Sequence, residues 1–289
     1  MRRNLVAHET TQAAGRVVAL ASLISGAGLV VLLAAIIRHL GVNGVFAPAE
    51  WAFLTSPSSL EFLALGALNT LKVAAVASTC CFVVASGLGW ARVSSSRLFE
   101  RLAGVAVICS GSIPLLLILY FLEYSFPWHG VAPDPFVLLV AGIVAFNVGP
   151  VAETLAAGMR SVDAGQRSSG LSLGLSPLQV ELLVVAPQGV RRMLPALVTN
   201  FVAIVKDTSL GFVVPYADLL DRAQQLNVTQ GARAPLLAAL SVAALFYIAV
   251  GLAGSRLAQR LEARVDSGPV VRSRPSRLPV SWITLRNSR

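Results

Sequence analysis

Four ionisable side chains lie inside apolar stretches of this sequence: Lys72, Glu153, Lys206 and Asp207. Ionisable groups are costly within a membrane and usually functional there. Gathered in one place, such opposite charges can hold the ammonium and carboxylate groups of a zwitterionic solute. They can equally hold helices together through interhelical hydrogen bonds, and both interpretations are compatible with the sequence. The polar residues that share these stretches are Asn69, Thr70, Asn200, Thr208 and Ser209.

Depth along the predicted helices favours one pairing of these charges. Lys206 and Asp207 are adjacent, so on a helix they do not face each other. At about 1.5 Å per residue, Asp207 lies about 20 Å from the cytoplasmic end of its helix, and Lys72 reaches a similar depth from outside. Glu153 lies only about 10 Å from that end of its own helix. We therefore hypothesise that Asp207 approaches Lys72, and we expect no direct bond between Glu153 and Lys206.

The composition indicates a protein that crosses a membrane several times. Of the 289 residues, 55% are hydrophobic and only 13% are charged, which is more apolar surface than a soluble domain can bury. Six segments reach the roughly 20 apolar residues that a crossing needs. We place them at 17–37, 65–91, 101–123, 136–158, 193–215 and 235–255. The first resembles a signal peptide in its basic start, but its length favours an uncleaved span.

The arginines predict the orientation of these spans. The net charge of +9 would suggest nucleic acid in a soluble protein, but here the arginines cluster at the ends of apolar segments. Since positive residues stay in the cytoplasm, both termini are expected there, and no nucleic-acid binding is expected. The arginines assigned to the cytoplasm before the tail are Arg2, Arg3, Arg16, Arg92, Arg97, Arg101, Arg160, Arg167, Arg191, Arg192, Arg256, Arg260 and Arg264.

Several sequence motifs typical of metal binding, nucleotide binding or catalysis are absent from this chain. Its three cysteines, Cys80, Cys81 and Cys109, lie in apolar segments without a cluster of other metal ligands. The sequence contains no phosphate-binding loop and no zinc-protease helix. We therefore expect no metal, no cofactor and no catalytic residue in this chain.

A folded segment joins the fourth and fifth spans; we call residues 161–195 the inter-span segment. Asp163 can cap a first helix, and Gly174 can end it in a left-handed conformation. Ser176 and Gln179 form a capping box for a second helix, which Pro187 is expected to stop. The second helix has an apolar face. It could lie on the bilayer surface or dock a cytosolic partner, and physical reasoning alone does not separate these alternatives.

Residues 152–210 resemble the signature region of membrane permeases of polar amino-acid ABC importers, and the resemblance covers about 62–258. The combined spacing of the motifs is specific, although each one alone is weak. The matching residues are Ala152-Glu153, Gly165-Gln166, Leu173-Gly174-Leu175-Ser176, Pro187-Gln188, Arg192, Leu194-Pro195, Asn200 and Lys206-Asp207-Thr208-Ser209-Leu210, with Asn69 to Ala74 and Gly111 to Leu117 upstream.

The resemblance implies a division of labour between subunits. This chain would line the pathway together with a second permease subunit, identical or different. Separate ATP-binding subunits would dock on residues 164–186 and bind the ATP, and an extracytoplasmic solute-binding protein would deliver the solute. The residues expected to couple to the ATPase are Gly165, Gln166, Ser168, Ser169, Gly170, Gly174, Leu175, Ser176 and Leu178. The family's Glu-Ala-Ala triplet is replaced here by Ser168-Ser169-Gly170, which removes an acid, and its Arg before Gly-Thr-Pro is Ser110.

Together these observations predict an all-α polytopic membrane protein with about six transmembrane helices and a cytoplasmic coupling-helix loop between helices four and five. Residues 1–61 would add an extra helix, 62–258 the permease core, and 259–289 a cytoplasmic tail rich in Arg, Ser and Pro that lies on anionic lipid. The expected location is a bacterial inner membrane. The expected function is an importer permease without enzymatic activity. The alternative is a stand-alone secondary transporter, which would call for inverted repeats that the sequence does not show.

Overall fold

The computed structural model describes residues 2–42, 44, 46–94, 96–125, 133–229 and 236–266, with side chains from residue 20 to 226 and from 236 to 264 within those ranges. Helices account for nearly all of this part of the chain. The α-helices are α1 (Arg2–Val42), α2 (Pro57–Arg92), α3 (Arg97–Ser112), α4 (Leu115–Ser125), α5 (Pro135–Arg160), α6 (Ala164–Ser172), α7 (Pro177–Gln179), α8 (Ala186–Asp207), α9 (Leu219–Thr229) and α10 (Leu236–Asp266). A π-helical turn (Val180–Val185) joins α7 to α8, and short 3-10 helices cover Pro48–Thr55 and Thr208–Val213.

Among the described residues, five helical stretches are long and apolar enough to cross a membrane, and a bent pair makes a sixth if it counts as one span. The five are Leu20–Val42, Pro57–Arg92, Pro135–Arg160, Pro177–Val213 and Leu236–Arg264. The predicted number of about six helices is thus confirmed. Helix α10 continues beyond residue 258, where the tail was predicted to begin, and residues 267–289 of that tail lie outside the described residues.

The third predicted span, 101–123, is not one helix. It consists of α3 and α4, which meet at an angle of 89°. Pro114 stands at the break, because a proline disfavours the helical conformation of the residue before it, here Ile113. Pro150 and Pro195 behave differently, since each lies inside a continuous helix.

The Ser110 hydroxyl of α3 forms hydrogen bonds with the backbone of α5 around Pro150. Because Pro150 has no N–H, the carbonyl of Phe146 lacks its helical donor. The Ser110 hydroxyl lies 2.9 Å from that oxygen and 2.6 Å from the carbonyl oxygen of Ala145, and it accepts from the backbone N–H of Gly149 at 3.0 Å. Ser110 therefore ties α3 to α5.

Helices α2, α5 and α8 form the centre of the bundle. A core of fully buried side chains from these three helices, including Val73, Ile143 and Ile204, fills the space between them. Glycines allow close crossings between these helices. A Cβ at Gly89 would lie 3.0 Å from the carbonyl oxygen of Ala152, so α2 and α5 approach closely there.

Another close crossing joins the end of α5 to the start of α8. A Cβ on Gly158 would lie 2.6 Å from the Gly189 carbonyl oxygen, and a Cβ on Gly189 would lie 2.8 Å from the Met159 nitrogen. Two backbones that touch in this way leave no room for a side chain on either glycine. The crossing therefore fixes where α8 passes α5.

Candidate coupling segment and polar clusters

The inter-span segment begins as the sequence predicts. Asp163 accepts a hydrogen bond from the Gly165 N–H at 2.6 Å and caps α6. Gly174 has φ +83°, a left-handed conformation that glycine adopts without strain. Ser176 and Gln179 form the expected capping box at the start of α7. The predicted helix, glycine turn and second helix are confirmed.

The predicted stop at Pro187 is wrong. The chain passes from α7 through the π-helical turn into α8 without leaving helical structure, so that Pro177–Val213 is one stretch of 37 residues. Pro187 lies in the first turn of α8, directly after the π turn. Proline is tolerated in a first helical turn, and a π turn can absorb a locally missing hydrogen bond. The second helix of the inter-span segment is consequently the beginning of the fifth span.

The two helices of this segment pack tightly against each other. A Cβ on Gly170 would lie 2.9 Å from a methyl group of Val180, so the glycine makes room for that valine. Buried residues Met159, Val162, Val180 and Val185 form a small core beneath. The opposite surface exposes large apolar side chains. They are Leu171, Leu173, Leu178, Leu182 and Leu183, of which Leu173 is 83% exposed.

The residues predicted to couple to a partner are distributed over both surfaces. Gly170 is buried and Leu175 is half-buried. Gln166 receives a hydrogen bond from Gln188 at 3.3 Å, and Ser168 directs its hydroxyl to the Ala164 carbonyl at 3.2 Å within α6. The exposed members of the set are Gly165, Gln166, Ser168, Ser169, Gly174, Ser176 and Leu178.

The predicted pairing of Lys72 with Asp207 is wrong. Among the ion pairs of the described residues, none joins these two side chains. Asp207 instead accepts from the Asn147 amide at 2.8 Å, while the Lys72 ammonium lies 5.4 Å from the centre of the Phe136 ring. Similar depth does not establish contact, because helices at one depth can present these side chains in different directions.

Glu153 forms a charged cluster with Arg92 and Arg160, which we call the Glu153 cluster. Arg92 Nε lies 3.1 Å from one carboxylate oxygen and Arg160 Nη1 lies 2.8 Å from the other. Arg160 also donates to the carbonyl of Arg92 at 3.2 Å, which ties the last turns of α2 and α5 together. The expectation that Glu153 does not bond Lys206 is consistent with these contacts. Asn200 donates to Thr154 at 3.1 Å and joins α8 to the same region.

A second cluster, which sequence reasoning missed, surrounds Asp218; we call Asn69, Thr70, Asp218 and Tyr247 the Asp218 cluster. Asp218 is fully buried and accepts from the Asp221 N–H at 2.8 Å and from the Tyr247 hydroxyl at 3.3 Å. Thr70 accepts from the Leu219 N–H at 3.1 Å, and Asn69 donates to the Ala217 carbonyl at 2.9 Å. The cluster therefore fastens the start of α9 to α2 and α10.

Burial raises the pKa of Asp218 to about 6, although its hydrogen bonds from Asp221 and Tyr247 act in the opposite direction. Desolvation disfavours the ionised carboxylate, and no cation is paired with it among the described ion pairs. The sequence offered little signal here, because an aspartate directly before a helix is typical of an ordinary helix cap.

Lys206 faces a different environment from Asp207. It is exposed and lines an open groove of about 440 Å³ between α8 and α10, together with Ser209, Tyr247 and Ser255. Thr208 is buried and keeps its hydroxyl on the Val205 carbonyl at 2.7 Å. Within the described ranges, no three histidine, cysteine or acidic side chains lie close enough to hold a metal ion.

Apolar helices long enough for several crossings, bound to one another by polar clusters and joined by a capped helical segment, make this chain a multi-pass membrane protein. The chain belongs to the family of binding-protein-dependent transport system inner membrane components, whose profile matches residues 82–267.

Relatives and one solved structure agree with this assignment. The chain is 32% identical over 209 residues to a probable glutamine ABC transporter permease protein of Bacillus subtilis, covering 72% of this chain and 96% of that protein. It is 28% identical over 242 residues to a glutamate transport system permease protein of Corynebacterium glutamicum, covering 82% and 87% respectively. A solved amino acid ABC transporter with histidines matches with a TM-score of 0.63 at 25% identity, over 73% of this chain and 98% of that chain.

Proposed function

We propose that this chain is the permease subunit of an ATP-driven importer, that its solute is a polar amino acid or a similar small molecule, and that ATP is bound by separate subunits. Family membership supports the transport role. Relatives described as glutamine and glutamate permeases support the solute class. The same matches favour a subunit of a larger transporter over a stand-alone transporter driven by an ion gradient.

The observation that carries this proposal is the continuity between the inter-span segment and the fifth span. Helix α7, the π turn and α8 form one helical stretch, and its first turns expose Leu178, Leu182 and Leu183. An ATPase that grips these leucines would act directly on a membrane span. A helix that only lay on the bilayer surface would not need a continuous helical connection to the fifth span.

The solute pathway is proposed to pass the groove beside Lys206. The exposed ammonium and the hydroxyls of Ser209 and Tyr247 could attract a carboxylate, while Asp207 and Lys72 hold neighbouring helices through Asn147 and Phe136. The proposed surroundings are a second permease subunit, an extracytoplasmic solute-binding protein, anionic lipid at the tail and a cytoplasmic location for both termini. No cofactor is assigned to this chain.

Co-purification tests the docking part of the proposal. The permease would be expressed with its cognate ATPase subunit and isolated through a tag on the permease. Leu178→Asp places a charge on the exposed apolar surface and should remove most of the ATPase, whereas Leu178→Met conserves volume and apolarity and should retain it. Equal retention of ATPase in both variants, with normal membrane insertion, would overturn the assignment of this surface.

A further inference from the structure

The guanidinium of Arg167 joins three separate parts of the chain. Its Nε lies 2.8 Å from Glu181 Oε1 in the π turn. Its Nη2 donates to the Met159 carbonyl at 3.1 Å, and its Nη1 donates to the Val162 carbonyl at 3.4 Å. Arg167 itself belongs to α6. One side chain therefore connects α6, the carboxyl end of α5 and the start of the fifth span.

The chemistry of these partners explains why an arginine stands here. The last carbonyls of a helix have no intrahelical donors and carry the negative end of the helix dipole. A planar cation with five donors can reach the Met159 carbonyl in the last turn of α5, the Val162 carbonyl in the connection to α6 and a carboxylate at once, which a lysine cannot do in a fixed geometry. The side chain of Arg167 is only 30% exposed and that of Glu181 only 26%, so the pair is partly shielded from solvent.

We call the contacts of Arg167 with Glu181, Met159 and Val162 the brace, because they differ from the other contacts that hold the inter-span segment together. The close packing of Gly170 on Val180 holds the two helices in contact, but it acts through an apolar surface alone. The backbone contact from Leu175 N–H to Gly170 oxygen, at 3.2 Å, closes the turn within the segment itself. The Arg167 contacts are different, because they set the position of α6 relative to both spans that flank it.

We propose that Arg167 is a positioning residue for energy coupling: through Glu181 and the end of α5 it fixes α6 against the fifth span, so that movement of a docked ATPase reaches the membrane helices instead of bending the segment. The inference rests on the proposed function, since it assumes an ATPase docked on the inter-span segment. Arg167 contacts neither solute nor ATP in this arrangement.

The decisive quantity is the number of solute molecules transported per ATP hydrolysed by the reconstituted complete transporter. We expect Arg167→Ala to keep its ATPase subunits but to lower this ratio by about fivefold. Glu181→Gln should lower it by a smaller factor, and Arg167→Lys should fall between wild type and Arg167→Ala. Arg191→Ala is the matched control, because Arg191 is an exposed arginine of α8 with no described contact, and its ratio should equal that of wild type.

Two outcomes would overturn the proposal. One is a ratio for Arg167→Ala that equals that of Arg191→Ala. The other is loss of the ATPase from Arg167→Ala while Glu181→Gln behaves as wild type, which would make Arg167 a direct partner contact. A variant that merely folded poorly would reduce the amount of complex without changing the ratio.

A measurement on the permease alone separates failure of the brace from failure of the proposed function. Spin labels would be attached at Ser172 and Val137, both exposed, after replacement of the three native cysteines by alanine. Arg167→Ala should broaden the distance distribution between the labels, and Arg191→Ala should leave it narrow. An unchanged distribution in Arg167→Ala overturns the brace even if the importer works as proposed, whereas broadening in a protein without ATP-driven transport refutes only the function.

Discussion

The Glu153 cluster and the Asp218 cluster both fasten α2 to its neighbours, at positions about 33 Å apart along that helix. The first uses paired charges: two arginines share one carboxylate whose side chain is 40% exposed. The second buries its single carboxylate completely and surrounds it with neutral donors. Where solvent can reach, full charges are tolerated and are worth little individually, whereas a buried acid makes its site sensitive to protonation.

The largest expected effect concerns the buried cluster. Asp218→Ala should lower the free energy of unfolding by about 3 kcal/mol at pH 5, because it removes a helix cap, leaves the Asp221 N–H without an acceptor and removes one hydrogen-bond partner of the Tyr247 hydroxyl. Thermal unfolding in detergent at pH 5 measures this change. A loss as small as that of the exposed Glu100→Gln would contradict the role assigned to Asp218.

The second effect is a dependence on pH. The pKa of Asp218 is raised from 3.8 to about 6 by burial, so the folded protein holds this proton where the unfolded chain has lost it. Stability from this group therefore rises as the pH falls through 6 toward 4, by about 1.4 kcal/mol between pH 7.5 and pH 5. The titratable groups that face it are Asp221, Tyr216 and Tyr247.

Asp218→Asn is the control for this pH dependence. It keeps the shape of the side chain but cannot ionise. The difference in the free energy of unfolding between wild type and the variant should therefore show the whole pH dependence that Asp218 causes. The variant should also be more stable than wild type at pH 7.5. A wild type and an Asp218→Asn variant with parallel stability profiles would show that Asp218 does not titrate in this range.

A smaller effect is expected at the exposed cluster. Glu153→Gln should lower the free energy of unfolding by about 1 kcal/mol, because it leaves Arg92 and Arg160 close together without a countercharge. Glu100→Gln changes an exposed acid whose side chain has no described contact, and it should change this free energy by less than about 0.5 kcal/mol. Chemical unfolding of both variants at pH 7.5 gives the comparison, and equal values would remove any structural role for the Glu153 cluster.

The smallest effect should come from salt and should separate the two clusters most cleanly. Raising the ionic strength from about 0.05 to 0.5 M shortens the screening length severalfold. The difference in the free energy of unfolding between wild type and Glu153→Gln should decrease by a few tenths of a kcal/mol. The corresponding difference between wild type and Asp218→Ala should stay constant. If both differences decreased equally, solvent would have to reach Asp218.

Local signals in the sequence predicted local structure well. Asp163, Gly174 and the Ser176–Gln179 box act within a few residues, and each appears as expected. Apolar length predicted the spans, since crossing a bilayer sets a minimum length. The predicted end of the helix at Pro187 was wrong because the effect of a proline depends on the turn before it. A π turn has no reliable pattern in sequence.

Long-range contacts could not be predicted in the same way. Thr70 meets the N–H of Leu219, 149 positions further along the chain, and nothing in the spacing of either residue indicates that partner. Lys72 and Asp207 share a depth but not a direction, and the direction of a side chain depends on how each helix rotates in the bundle. The Arg167 contacts were missed for a similar reason, because they depend on the angle at which α6 returns to α5.

The glycine crossing of α5 and α8 gives the fifth span the geometry of a lever. With Gly189 taken as the fixed point of a rotation, Leu178 lies about 17 Å away on one arm and Lys206 about 26 Å away on the other. A rigid rotation of about 10° about that point would move Leu178 by about 3 Å and Lys206 by about 4.5 Å in the opposite direction. A small displacement of the inter-span segment would thus be enlarged about 1.5-fold at the groove, which is the ratio of these two distances from Gly189.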